Sequence, residues 1–175
     1  MGKTKSLSPG DIRANVMALD LECIKFKLVN SDEGPGWSRE KVEDVCVQYR
    51  RFLFLCATVG KGIVPTKDID EFWHYHILDT RKYAEDCEHA FGFFLHHFPY
   101  LGMRGEEDAA LLKQYFENTK ELYHQEFGVE YGVGSADCEN CGNCDASCGV
   151  YSGSGSCASE DSIEKERPRL EPLAA

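Results

Sequence analysis

The chain has 175 residues, an apolar share of 42% and a formal charge of -11 at pH 7. That length suits one domain with an appendage, and that apolar share is enough for a buried core. The acidity excludes nucleic acid and anionic membranes as main partners, because both select Lys/Arg stripes.

No apolar run approaches the roughly 20 residues that span a bilayer. Lys3 and Lys5 are not followed by an apolar h-region, so the start does not read as a secretory signal and a cytoplasmic location is expected. Nine cysteines in that compartment point to metal or redox chemistry rather than to disulfides.

Ser8-Pro9, with Asp11 in the first turn, predicts a helix start. Ile12, Val16, Leu19, Cys23, Ile24, Phe26 and Leu28 keep a 3.6-residue period, which predicts one helix from Ile12 to Leu28. The breaker-rich stretch from Asn30 to Gly36 ends it. Ser38 caps a second helix, with Lys41 where a capping box would place Glu. Val42, Val45, Cys46, Tyr49, Phe52, Leu53 and Cys56 form its stripe, so Cys46 and Cys56 read as small core hydrophobes.

Thr66 and Asp68 predict a third helix from Lys67 to about Leu78. Asp79-Thr80 caps a fourth from Arg81 to Ala90, and Gly92 ends it. Residues 93–105 hold too much Pro and Gly for a long helix, yet Phe93, Phe94, Leu95, Phe98 and Tyr100 predict a segment folded back on the body. A fifth helix opens at Gly105 with three carboxylates and shows an apolar face from Leu111 to Tyr123 before Gly128. No stretch alternates like a strand. The expected fold is all-α: about five helices over residues 8–130, then a flexible tail at 131–175. That tail, dominated by Cys, Gly and Ser, has few apolar groups to offset its ordering entropy.

The stretch Val64–Gly105 holds five of the six histidines, His74, His76, His89, His96 and His97, together with Trp73 and Cys87. On a helix His74 and His76 lie about 200° apart, so only one of them joins a given site. His76 or His74, Cys87 and one of His96 or His97 can converge from three segments, and His76, Cys87 and His97 make the candidate ligand set of two imidazoles and a thiolate. Such a set suits zinc or copper, with Asp79 orienting an imidazole. The competing reading is a core in which histidines hydrogen-bond Asp79 or Asp86 among packed aromatics. A Cys–His nucleophile pair lacks a supporting oxyanion-type turn.

Asp70-Glu-Phe-Trp73-His74-Tyr-His76-Ile-Leu-Asp-Thr80, with Tyr83, Asp86-Cys87, Phe91-Gly92 and His96-His97-Phe-Pro99, resembles the signature of the glycine-rich domain-containing protein-like family. Tyr49-Arg50-Arg51-Phe52 and the stretch Thr119 to Gly128 are similar to bacterial members. The resemblance covers roughly Ala18 to Gly128 and implies a helical domain without assigning a reaction. The long glycine-rich region and RNA-binding module of plant members have no counterpart here, so no RNA role carries over.

Cys138, Cys141, Cys144 and Cys148 are spaced C-x2-C-x2-C-x3-C. The spacing matches a bacterial ferredoxin run, but Gly149 stands where proline would follow and no second run exists. A single [4Fe-4S] cluster would need Cys148 or Cys157 as its fourth ligand, and the intervening residues are polar. Zinc or copper(I) suits four thiolates on a glycine-rich loop with less demand on the surroundings. The expectation is a metal-binding or interaction protein with no catalysis of its own. Its alternatives are an iron–sulfur redox carrier and a precursor whose cysteine-rich tail is modified by a partner enzyme.

Overall fold

The computed structural model describes residues 7–132 and 169–170. Six helices follow in order: α1 Pro9–Met17, α2 Glu22–Val29, α3 Arg39–Val59, α4 Lys67–Leu78, α5 Thr80–Phe91 and α6 Glu106–Phe127. There is no strand among the described residues. The all-α reading holds.

The single helix expected over Ile12–Leu28 is two. Ala18 closes α1, and Asp20 accepts a hydrogen bond from the Glu22 N–H at 3.1 Å as α2 begins. The break lets both Leu19 and Leu21 enter the core, at 5% and 0% exposure. Arg50 on α3 donates to the Leu19 carbonyl at 2.9 Å, so a long-range contact satisfies a carbonyl that the turn frees. The 3.6 period spans the break because the turn happens to keep the apolar phase.

Other ends follow the local signals. Ser8 and Asp11 form a reciprocal capping box. Ser38 accepts from the Lys41 N–H at 3.1 Å, and Thr66 accepts from that of Ile69 at 3.3 Å. Gly92 and Gly128 close α5 and α6 at φ of 76° and 69°, a left-handed conformation that favours glycine.

α3 is the central element, and α1, α2, α4 and α6 pack on it. Every residue of its expected stripe is buried, as are Phe54 and Leu55 outside the stripe. Phe54 is buried because its ring meets Phe127 of α6 edge-on at 6.0 Å, with the Arg13 guanidinium 4.7 Å from its centre. α6 is a covering helix: only Thr119 and Tyr123 on it are fully buried. Thr119 accepts from the Val64 N–H at 3.0 Å and donates to the Tyr115 carbonyl at 2.7 Å, which ties the extended 63–65 segment to α6.

Tyr131, placed in the tail by the expected boundary, packs on the helical body. It is 7% exposed, lies tilted against Tyr123 with ring centres 4.7 Å apart and donates to the Val64 carbonyl at 2.9 Å. Residues 169–170 also return to the body. Arg169 pairs with Asp20 at 2.5 Å, and Leu170 packs against the core.

Candidate functional site

The Thr66 cap sets the phase of α4, and the phase sorts its side chains. Ile69, Phe72, Trp73 and His76 point inward at i, i+3, i+4 and i+7. Asp70 and His74, an i, i+4 pair, stand on the flank with side chains 35% and 41% exposed. The two histidines of Trp73-His74-Tyr75-His76 therefore have separate surroundings, as their angular spacing requires.

His76 is 1% exposed and both ring nitrogens are engaged. Nδ1 lies 2.8 Å from the Tyr49 hydroxyl and Nε2 lies 2.9 Å from Asp86 Oδ2. Lys82 Nζ reaches the same Asp86 oxygen at 2.9 Å. Burial pushes the His76 pKa below its ordinary value, and the Asp86 contact only partly opposes that shift. Burial would raise Asp86, but hydrogen bonds from His76 and Lys82 together outweigh it and hold the carboxyl low. The neutral imidazole thus donates to a carboxylate through Nε2 and accepts from Tyr49 at Nδ1.

A second cluster forms where the 92–105 segment crosses α4. His97 Nε2 lies 2.9 Å from Asp70 Oδ1, and His74 Nε2 lies 3.6 Å from Asp70 Oδ2. The His97 ring is held edge-on against Trp73 at 4.5 Å and against His74 at 4.8 Å. One ligand atom from each of Asp70, His74 and His97 lies within 4.8 Å of the other two. Zinc with nitrogen and oxygen ligands at 2.0–2.2 Å needs ligand atoms about 3.3 Å apart in a tetrahedron. The widest separation in the cluster therefore exceeds that of a coordinating arrangement by no more than about 1.5 Å.

The segment carrying His97 is anchored, though less deeply than its aromatics suggest. Trp73 Nε1 donates to the Tyr83 hydroxyl at 2.9 Å, and that hydroxyl donates to the Leu95 carbonyl at 2.5 Å. Leu95 and His97 fold back on the body as expected. Phe93, Phe94, Phe98 and Tyr100 remain 43–58% exposed. Phe94 still meets Tyr83 edge-on at 5.2 Å, and the Arg104 guanidinium sits 5.2 Å from the centre of Phe98.

The expected trio of His76, Cys87 and His97 is distributed over different surroundings. His97 joins Asp70 and His74, whereas His76 joins Tyr49 and Asp86. Cys87 is 1% exposed, and burial raises its thiol pKa although Leu95 and Tyr83 contacts oppose the rise. That disfavours the thiolate a metal requires. The carboxylate that orients His76 is Asp86. Asp79 caps α5 instead, its Oδ1 3.4 Å from the Lys82 N–H. Cys138, Cys141, Cys144, Cys148 and Cys157 lie outside the described residues. The sequence reading keeps His74 as an alternative to His76 but does not single out Asp70, although the i, i+4 spacing of Asp70 and His74 is a usable signal. Cys46 and Cys56 are core residues, and burial pushes the Cys46 thiol up to about 11.

These features define a small helical domain with a two-histidine, one-aspartate cluster at a helix–loop crossing. Residues 23–121 match the UCP032817-like family model, which is more than half of the chain, and the protein belongs to that family. It is also similar to glycine-rich domain-containing protein 1 of Arabidopsis thaliana, 28% identical over 137 residues, covering 69% of this chain. The chain spans only 16% of that relative's length. No solved structure matches the chain. The matched region contains α3, α4, α5 and the whole cluster.

Proposed function

We propose that this is a cytoplasmic metal-binding protein without catalysis of its own, and that its helical body binds a divalent ion of the zinc type at Asp70, His74 and His97. The observation that supports this reading is the convergence of three ligand atoms within 4.8 Å at an accessible crossing of α4 and the 92–105 segment. Two imidazoles and a carboxylate match the donor set of zinc, and two donors four residues apart on one helix are an economical way to build half of it. The third donor is held in place by Trp73, so it does not have to be ordered by the metal alone.

A second site is favoured by the spacing of Cys138, Cys141, Cys144 and Cys148, whose thiolates suit zinc or copper(I). Metal analysis of full-length protein separates the two. We expect His97→Ala to lose the body equivalent of zinc and to keep tail-bound metal. A chain with these four cysteines changed to serine should show the converse. Zinc content unaffected by His74→Ala, His97→Ala and Asp70→Asn would remove the body site from consideration. Each variant should keep the helical circular dichroism, since all three side chains lie outside the innermost core.

A further inference from the structure

We propose that the Asp70–His74–His97 centre holds its ion with a coordination position open toward solvent, and that this position takes a monodentate anion in place of water. The inference rests on the metal-binding reading above and adds what the bound ion would do.

The cluster has an inner and an outer side. Trp73, 5% exposed, closes the inner side, with its ring against His97. On the outer side the side chains of His74 and Asp70 are 41% and 35% exposed, and that of His97 is 15% exposed. Among the described residues the cluster gathers three ligand groups. Zinc prefers four, and centres with three protein ligands complete the shell with water or an exogenous group. The position left by the three donors faces the exposed side because Trp73 occupies the other.

Charge selects the class of ligand. Two neutral imidazoles and one carboxylate leave a divalent ion with a net charge of about +1, which favours an anion over a neutral donor. With three protein donors, a four-coordinate ion has one position left, which takes one donor atom rather than a chelating pair.

Cobalt(II) reports this directly, because its visible bands respond to coordination number and to ligand exchange. The protein to use is the full chain with Cys138, Cys141, Cys144, Cys148 and Cys157 changed to serine, so that bands from thiolate ligands do not overlap. Cobalt is added first, then sodium azide, with sodium perchlorate, whose anion coordinates poorly, at matched ionic strength as the control. We expect visible bands that are lost in His97→Ala and in His74→Ala, and that shift saturably with azide. Bands that form but ignore azide would overturn the open position and leave metal binding intact. Bands that persist in both histidine variants, or no bands at all, would overturn the body site and this proposal with it.

Discussion

His76 has two hydrogen bonds and almost no access to water, and that combination fixes its protonation state. As pH falls through the ordinary value of 6.5, the unfolded chain takes up a proton that the folded imidazole refuses. Stability should therefore start to fall below about pH 6.5 and continue until the folded His76 itself protonates. Asp86 acts in the same direction at lower pH. Its depressed pKa contributes stability that is complete above the ordinary value of 3.8 and lost as pH falls through the folded value. Urea unfolding at pH 7.5 and pH 5.5 should show the decline, and His76→Gln should flatten it. Tyr49→Phe removes the hydroxyl that faces Nδ1 at 2.8 Å. Leaving that buried acceptor unpaired should cost about 1–3 kcal/mol at neutral pH, read as a lower urea midpoint with an unchanged slope.

The turn between α2 and α3 depends on one close approach. Gly34 sits where an added Cβ would lie 2.1 Å from the Lys27 carbonyl oxygen and 2.9 Å from that of Asn30. Both are backbone atoms that cannot rotate away. The loop is also pinned by the Asn30 side chain, which accepts from the Asp32 and Glu33 N–H groups at 2.8 and 2.9 Å. Gly34→Ala should thus destabilise the protein by about 3 kcal/mol, whereas Gly10→Ala in α1, where a Cβ has only the Ser8 Oγ at 3.7 Å, should be neutral or mildly stabilising. Thermal unfolding of the two variants side by side checks the contrast.

Tyr131 covers the core where α6 meets the extended 63–65 segment. Its ring lies tilted against Tyr123 and Phe116, and its hydroxyl donates to the Val64 carbonyl, so α6 and the 63–65 segment meet around it. A chain ending at Gly132 should keep its helical signal and cooperative unfolding, with a modest drop in Tm from the loss of the exposed Arg169–Asp20 pair and of the partly buried Leu170. One ending at Glu130 loses a buried aromatic and should be less stable by about 3–5 kcal/mol. Equal stability of the two truncations would show that Tyr131 does not close the core.

Helix identities and most helix ends were legible in the sequence because they are local. Ser8, Ser38 and Thr66 cap within three residues, Gly92 and Gly128 stop within one, and the stripe on α3 needs only its own period. The separation of His74 from His76 was equally local, since 200° of rotation is a property of any helix. Which of the pair turns inward was not. That depends on Tyr49 and Asp86 waiting on α3 and α5. The break after α1 depends on Arg50, 31 positions from Leu19, and the partner of His97 depends on Asp70, 27 positions away. No periodicity within one helix encodes such pairings. They exist because the core around α3 places α2, α4, α5 and the crossing segment, and only then are a buried histidine network and an accessible Asp70–His74–His97 cluster distinguished from one another.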